Sequence, residues 1–338
     1  MSIRNNVYNK DLLLNKHIMK YNPNTEDKKA TRILTTISII TLIVALLLIA
    51  ISVSAQERIE MIPFGDFESW SEQQIKESAI IGGAMKTYYQ IEGAWDCSNA
   101  HAQAMGIDKV SVSVKPEKRG NGTCCRMEST LETVSAIGIK FKALATGAIF
   151  TGKMIDIVSM KHSSNPNSAI DMGIPFTGRP SALILDYKAL IQNQTAVYAP
   201  AKTNVKAVEG HDAGQITLIL QHRWEENGHI YAYRVGTIQK EINESTDWQN
   251  DFRLPVTYGK SPVALTTNSH QTHNSNGEMV CIEEVDYRGD LVPTHIIVMI
   301  SAGNMPPFTG CPGNTMWVDN IRLEYNNDGL AQNMKSDK

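Results

Sequence analysis

Several signatures are missing from this sequence. Its five cysteines contain no Cys-x-x-Cys spacing, which excludes a zinc ribbon. There is no Gly-x-Ser-x-Gly elbow and no phosphate loop. Helical periodicity is scarce, and only Ser71–Ala79 reads as a short helix, with Ser71 as its N-cap. No internal repeat or proline-rich linker interrupts the body. Positive charge is also short there. Residues 1–32 hold seven Lys/Arg and three Asp/Glu, so the totals of 32 and 35 leave 25 basic and 32 acidic residues beyond, a formal charge of −7. An acidic body gives nucleic acid no electrostatic footprint.

What is present begins with a leader. Ile33–Ala55 carries no charged residue, follows Lys28, Lys29 and Arg32, and ends in Val53-Ser54-Ala55. A basic flank, an apolar run and a small-x-small ending describe a secretory signal peptide cleaved after Ala55. The run is also long enough to span a bilayer, so a retained anchor is the competing reading. Either way the chain is expected to be exported, to the periplasm or cell surface, and to meet a membrane only through this segment. The oxidising setting allows disulfides among Cys97, Cys124, Cys125, Cys281 and Cys311, although the odd number leaves at least one free. Adjacent Cys124 and Cys125 would face opposite sides of a strand.

From Met61 onward the pattern is that of strands. Lys109–Lys115 alternates, Gln215–Trp224 places Ile216, Leu218 and Leu220 on one face, and the apolar run in Thr294–Ile300 suits a strand covered on both sides. Met316–Tyr325 reads as the last strand. Glycine- and asparagine-rich turns separate the strands, as in a sandwich or jelly roll. The division expected is a leader (1–55), one all-β two-sheet domain (56–326) and a disordered tail (327–338).

Three segments together resemble a known family: Gly65-Asp66-Phe67-Glu68-Ser69-Trp70; then Ala148–Gly152, Gly173–Pro180 and Leu185–Lys188; and finally Gly313–Tyr325, which contains Trp317-Val318-Asp319-Asn320. Their order and spacing are similar to the putative carbohydrate metabolism domain of Bacteroidetes-type secreted proteins. That resemblance implies a β-jelly roll and a setting of glycan handling, without a settled catalytic residue. The family usually has a second acidic residue where Asn320 stands.

Candidate sites follow from the residues. If the first and last strands lie side by side, Asp66 and Glu68 approach Asp319, and carboxylates held together call for a cation. A structural Ca²⁺ is one candidate, and turn capping the other. The apolar parity of the last strand switches near Asp319-Asn320, which predicts a bulge. For a sugar, Trp95 and Trp248 lie in polar, loop-like stretches and are the expected platforms, whereas Trp70 and Trp317 are expected in the core. Arg179 suits the carboxylate of an acidic sugar, or else loop carbonyls, and Asp186 sits at a strand edge. Glycosidases hold paired carboxylates. Within Glu225-Glu226 and Glu283-Glu284 the neighbours point to opposite faces, so a dyad needs a member from another strand, with Asp286 a further candidate. His270 and His273 are expected in a surface loop. The reading is an exported, non-catalytic module that binds an oligo- or polysaccharide through Trp95, Trp248, Arg179 and Asp186. The alternatives are a glycoside hydrolase or lyase, and a structural or adhesive surface protein.

Overall fold

The computed structural model describes residues 35–43, 58–104, 106–136, 138–155, 158–159, 162 and 165–326. Residues 35–43 are helical, and no helix among the described residues is long and apolar enough to cross a membrane. The rest of the apolar leader, its cleavage point at Ala55 and the tail 327–338 lie outside the described residues. The chain separates into one unit of residues 1–56 and another of residues 57–338.

The second unit is a β-sandwich. In chain order, the strands of its two principal sheets are β1 (Arg58–Met61), β2 (Trp95–Cys97), β3 (Val114–Arg119), β4 (Gly122–Glu128), β5 (Ala148–Met154), β6 (Ile170–Met172), β7 (Ile174–Pro175), β8 (Ala182–Leu190), β9 (Gly214–Glu226), β10 (His229–Ile242), β11 (Thr246–Pro255), β12 (Thr257–Tyr258), β13 (Gln271–His273), β14 (Met279–Tyr287), β15 (His295–Ser301) and β16 (Thr315–Tyr325). The smaller sheet runs β11–β8–β16–β4–β3, with β1 also paired to β16. The larger runs β7–β15–β9–β10–β14–β13–β6–β5–β2. Pairing of β5 with β15 brings the larger sheet back on itself. First and last strands are neighbours, as the sequence suggests.

Alternation builds the core. Leu183, Leu185 and Tyr187 of β8, Met316 and Val318 of β16, and Ile216, Leu218 and Leu220 of β9 point into one cluster between the sheets. In β15, Ile296, Val298 and Ile300 join that cluster while Ile297 joins a second one with Phe150, Met172 and Ile219. This explains the uninterrupted apolar run: the curled sheet covers β15 on both faces. All five cysteines are free thiols, with Cys125 in the core and Cys124 on the opposite face, its Sγ 3.4 Å from Glu117 O.

Two local expectations are corrected. Trp70–Lys76 is a strand rather than a helix, paired residue by residue with Met85–Ile91, since cross-strand pairing overrides a short helical pattern. The alternating stretch Lys109–Lys115 is split between Ile107–Ser111 and β3, because the Asn99 side chain takes up the backbone N–H groups of Ser113 and Val114.

The predicted bulge in the last strand exists. Ile184 and Asp186 pair with Arg322 and Asp319, so β16 carries one extra residue, and Asn320 has φ +52°. A second bulge faces Asp186 from β11, where Leu185 and Tyr187 oppose Phe252 and Gln249 and Asp251 has φ +52°.

Candidate functional site

Three of the residues singled out in the sequence converge on the outer face of the smaller sheet, around a side chain the sequence did not indicate. Arg119 reaches over from the end of β3. Its Nη1 donates to Asp186 Oδ2 (2.8 Å) and Asp319 Oδ2 (2.6 Å), and its Nη2 to Asn250 Oδ1 (2.7 Å). The guanidinium lies 4.0 Å over the Trp248 ring. Asp186 also accepts from Asn320 Nδ2 (2.9 Å) and Asp251 N (2.8 Å), so one carboxylate ties both bulges. Burial disfavours the charged form of Asp186, but the bonds from Asn320, Asp251 and Arg119 outweigh it and hold the group below the ordinary carboxylate value. At Asp319 burial prevails and the value rises.

This arrangement does not gather Asp66, Glu68 and Asp319 into the oxygen set expected for calcium. The cation between Asp186 and Asp319 is Arg119, which takes one oxygen of each. Glu68 turns instead to the β3–β4 hairpin, where it accepts from Thr123 N at 3.1 and 3.2 Å. Asp66 is half-buried and makes no contact that completes a set. Among the described residues, no group of three or more His, Cys, Asp or Glu is placed to hold a metal ion.

Two platform or ligand assignments are also corrected. Trp95 is fully buried, packs edge-on against Phe67 at 5.7 Å and donates Nε1–H to Pro63 O at 3.0 Å. Its neighbourhood reads as polar because Asp96 and Asn99 serve backbone groups: Asn99 Nδ2 donates to Tyr89 O and Val114 O. Arg179 donates to the carbonyls of Leu291 and Gly289 and lies 4.3 Å over Tyr258, so its fork is spent on a loop. Trp248 is half-buried under Arg119, with one face covered. Trp317, expected in the core, is on the outer face, with Nε1–H donated to Glu117 and with Lys188 5.1 Å from the ring. His270 is buried, and His273 pairs with Asp171 at 2.9 Å, so neither belongs to a loose surface loop.

An open aromatic surface forms elsewhere, on the β9–β10 hairpin. Asn227 (φ +52°) and Gly228 (φ +80°) make a two-residue turn of the kind that needs positive φ at both positions. The turn fixes register: Trp224 faces Tyr231, His222 faces Tyr233, and Glu226 faces His229. On β9, His222, Trp224 and Glu226 continue the parity of Ile216, Leu218 and Leu220. On β10 a bulge at Val235 shifts parity, so that Tyr231 and Tyr233 share their face. The core fills the half of the hairpin far from the turn, and the half near it carries half-exposed rings. Trp224 lies 5.6 Å from Tyr231 at 27° and 4.8 Å from Tyr233 at 33°. His229 lies 6.3 Å from Tyr231.

The third column of this face is β14. Tyr231 pairs with Glu283 and Tyr233 with Asp286. Glu283 is exposed while Glu284 is buried, and Glu225 turns away to accept from Ser275 N (2.8 Å) and Oγ (2.6 Å). The two adjacent-Glu pairs therefore split as alternation requires, and Glu226, Glu283 and Asp286, from two strands, share the ring face. Behind it, Arg234 and Glu284 form a fully buried ion pair. Glu284 also accepts from Gln221 Nε2 (2.6 Å), Thr266 N (2.7 Å) and Thr266 Oγ1 (2.8 Å). Arg223 Nε donates to Gln221 Oε1 at 2.7 Å, and burial drops its value to about 10. The ring face thus stands on a satisfied, rigid polar layer.

Comparison with known proteins identifies the family. A family model described as "Putative carbohydrate metabolism domain" matches residues 66–324. The chain belongs to this family. Among solved structures, it is similar to a putative glycoside hydrolase from Bacteroides thetaiotaomicron (18% identity, 64% of this chain and 57% of that one, TM-score 0.41). It is also similar to a putative glycoside hydrolase from Bacteroides vulgatus (16% identity, 76% and 96%, TM-score 0.42). A carbohydrate-binding module specific for non-crystalline cellulose is more distant (12% identity, 62% and 79%, TM-score 0.24). The chain thus spans a little over half the length of the first of these. No curated protein matches it.

Proposed function

We propose that this member of the family is an exported, non-catalytic glycan-binding module, and that the ring face of β9, β10 and β14 is where it binds. The observation that carries the reading is the set Trp224, Tyr231 and Tyr233, three half-exposed rings packed against one another as an apolar ridge on one face. Sugar rings offer C–H faces to such a surface and hydroxyl rims to polar groups around it. His222, His229, Glu283 and Asp286 provide that rim. Trp248 keeps only one free face and is tied into the Arg119 cluster, so it ranks second.

The shared face of Glu226, Glu283 and Asp286 also favours a hydrolytic reading. Such catalysis needs two carboxylates flanking one scissile bond, one of them shielded enough to stay protonated as the acid, and these carboxylates are exposed on an open sheet. The experiment is a glycan array with the full-length protein, followed by mass analysis of any bound oligosaccharide. Binding to a defined sugar class with the oligosaccharide intact supports the module. Shortened products would favour the hydrolase, and binding to no glycan by the folded protein would overturn both.

A further inference from the structure

The rings define the surface, and the charges beside them define what can lie on it. Glu226 follows Trp224 by two residues on β9, and Glu283 and Asp286 flank Tyr231 and Tyr233 on β14. Arg288 is the cation here. It stands 5.6 Å over Tyr233, bound by Asp290 at 2.7 and 2.9 Å. Histidines aside, the carboxylates of Glu226, Glu283, Asp286 and Asp290 outnumber the guanidinium of Arg288 and that of Arg179, which also acts on Asp290, so the edge of the aromatic surface carries net negative charge. The carboxylates of Glu226 and Glu283 form no salt bridge among the described residues. The rings work in the same direction, because an aromatic face attracts a cation, as the placement of Arg288 over Tyr233 shows.

We infer that the face selects glycans bearing free amino groups, that is, chains of protonated 2-amino-2-deoxy sugars, over neutral chains, and that it rejects uronic-acid and sulfated chains. This rests on the glycan reading above. The C–H faces of the sugars lie on the exposed parts of Trp224 and Tyr231, and their ammonium groups meet Glu283 or Asp286. A polyanion brings like charges to the same carboxylates and is repelled.

The test uses the full-length protein and β-1,4-linked oligomers of equal length built from glucosamine, N-acetylglucosamine and glucose, with polygalacturonate and hexalysine as further probes. Affinities are read by calorimetry at low and high salt. The glucosamine oligomer should bind roughly three- to tenfold tighter than its acetylated form, the range set by one or two exposed ion pairs. That margin should shrink at high salt. The substitutions Glu283→Gln and Asp286→Asn remove the charge and keep hydrogen-bonding groups on the rim, so amino and acetylated oligomers should then bind equally tightly. Equal binding of amino and acetylated oligomers, polygalacturonate bound as tightly as glucosamine, or hexalysine bound as tightly as the amino sugar would each overturn this inference while the glycan reading stood. Binding to no sugar would overturn both.

Discussion

Trp95, Trp248 and Trp224 carry the same indole, and their surroundings give them three roles. Trp95 is a core residue whose polar neighbours face inward, so Trp95→Ala should cost about 3–5 kcal/mol in chemical denaturation, with sugar binding by the surviving fold unchanged. Trp248 is a lid on Arg119, and Arg119 neutralises two carboxylates that the core-lining strands hold together. The contrast was not visible in a sequence window, because the polar side chains around Trp95 are spent on backbone groups of neighbouring strands, Tyr89, Val114 and Met154 among them. Trp224, by contrast, was within reach: counting outward from Asn227-Gly228 pairs it with Tyr231. The buried ion pair behind it makes a second prediction at this scale. Arg234→Met alone strands Glu284 without its cation and should cost about 3–5 kcal/mol of unfolding free energy. The double change Arg234→Met/Glu284→Leu should recover most of that loss.

At the scale of elements, turn and bulge together aim the site. The Asn227-Gly228 turn sets the register of β9 against β10, and the Val235 bulge brings Tyr231 and Tyr233 to the side of Trp224. Asn274 braces the turn from behind, donating to Gly228 O at 3.0 Å. Gly228→Val puts a β-branched side chain at φ +80°, and by this argument should weaken sugar binding several-fold at temperatures where the variant is still folded, as well as lowering the melting temperature. Comparison of affinity and thermal melts for that variant checks it. The bulge at Asp319-Asn320 was legible because the apolar parity of β16 changes there. The bulge in β11 was not, since Trp248, Phe252 and Leu254 keep one parity across it and show no break to read. Arg119 could not be found from sequence at all, because its partners lie 67 and 200 residues away.

For the whole molecule, the second, curled core sets the response to acid. Burial holds His270 at about 4, and His295, also chiefly through burial, at about 4. Both bases have folded values below the unfolded one. Their stability contribution is therefore complete above about pH 6.5 and is lost as pH falls from there towards 4. For the nearly fully buried His270 the loss is about 3 kcal/mol across that window. Glu284 and Asp186, held low by their partners, add losses of the same sign further into acid, while Asp212 and Asp319, raised by burial, oppose them. Urea unfolding at pH 7 and pH 5 should show the drop, and His270→Gln should flatten it. The all-β sandwich itself was legible from strand alternation and turn spacing. The curl of the larger sheet was not, because the β5–β15 contact joins segments far apart in the chain and leaves only one trace, the doubly covered β15.

The most direct test is a titration of one glycan that the wild-type protein binds, run side by side with Trp224→Ala and Trp248→Ala. The ring-face account predicts at least a tenfold loss for Trp224→Ala and near wild-type affinity for Trp248→Ala, with both variants folded by circular dichroism. Wild-type affinity in Trp224→Ala, or a loss confined to Trp248→Ala, would contradict it and move the binding site to the outer face of the smaller sheet.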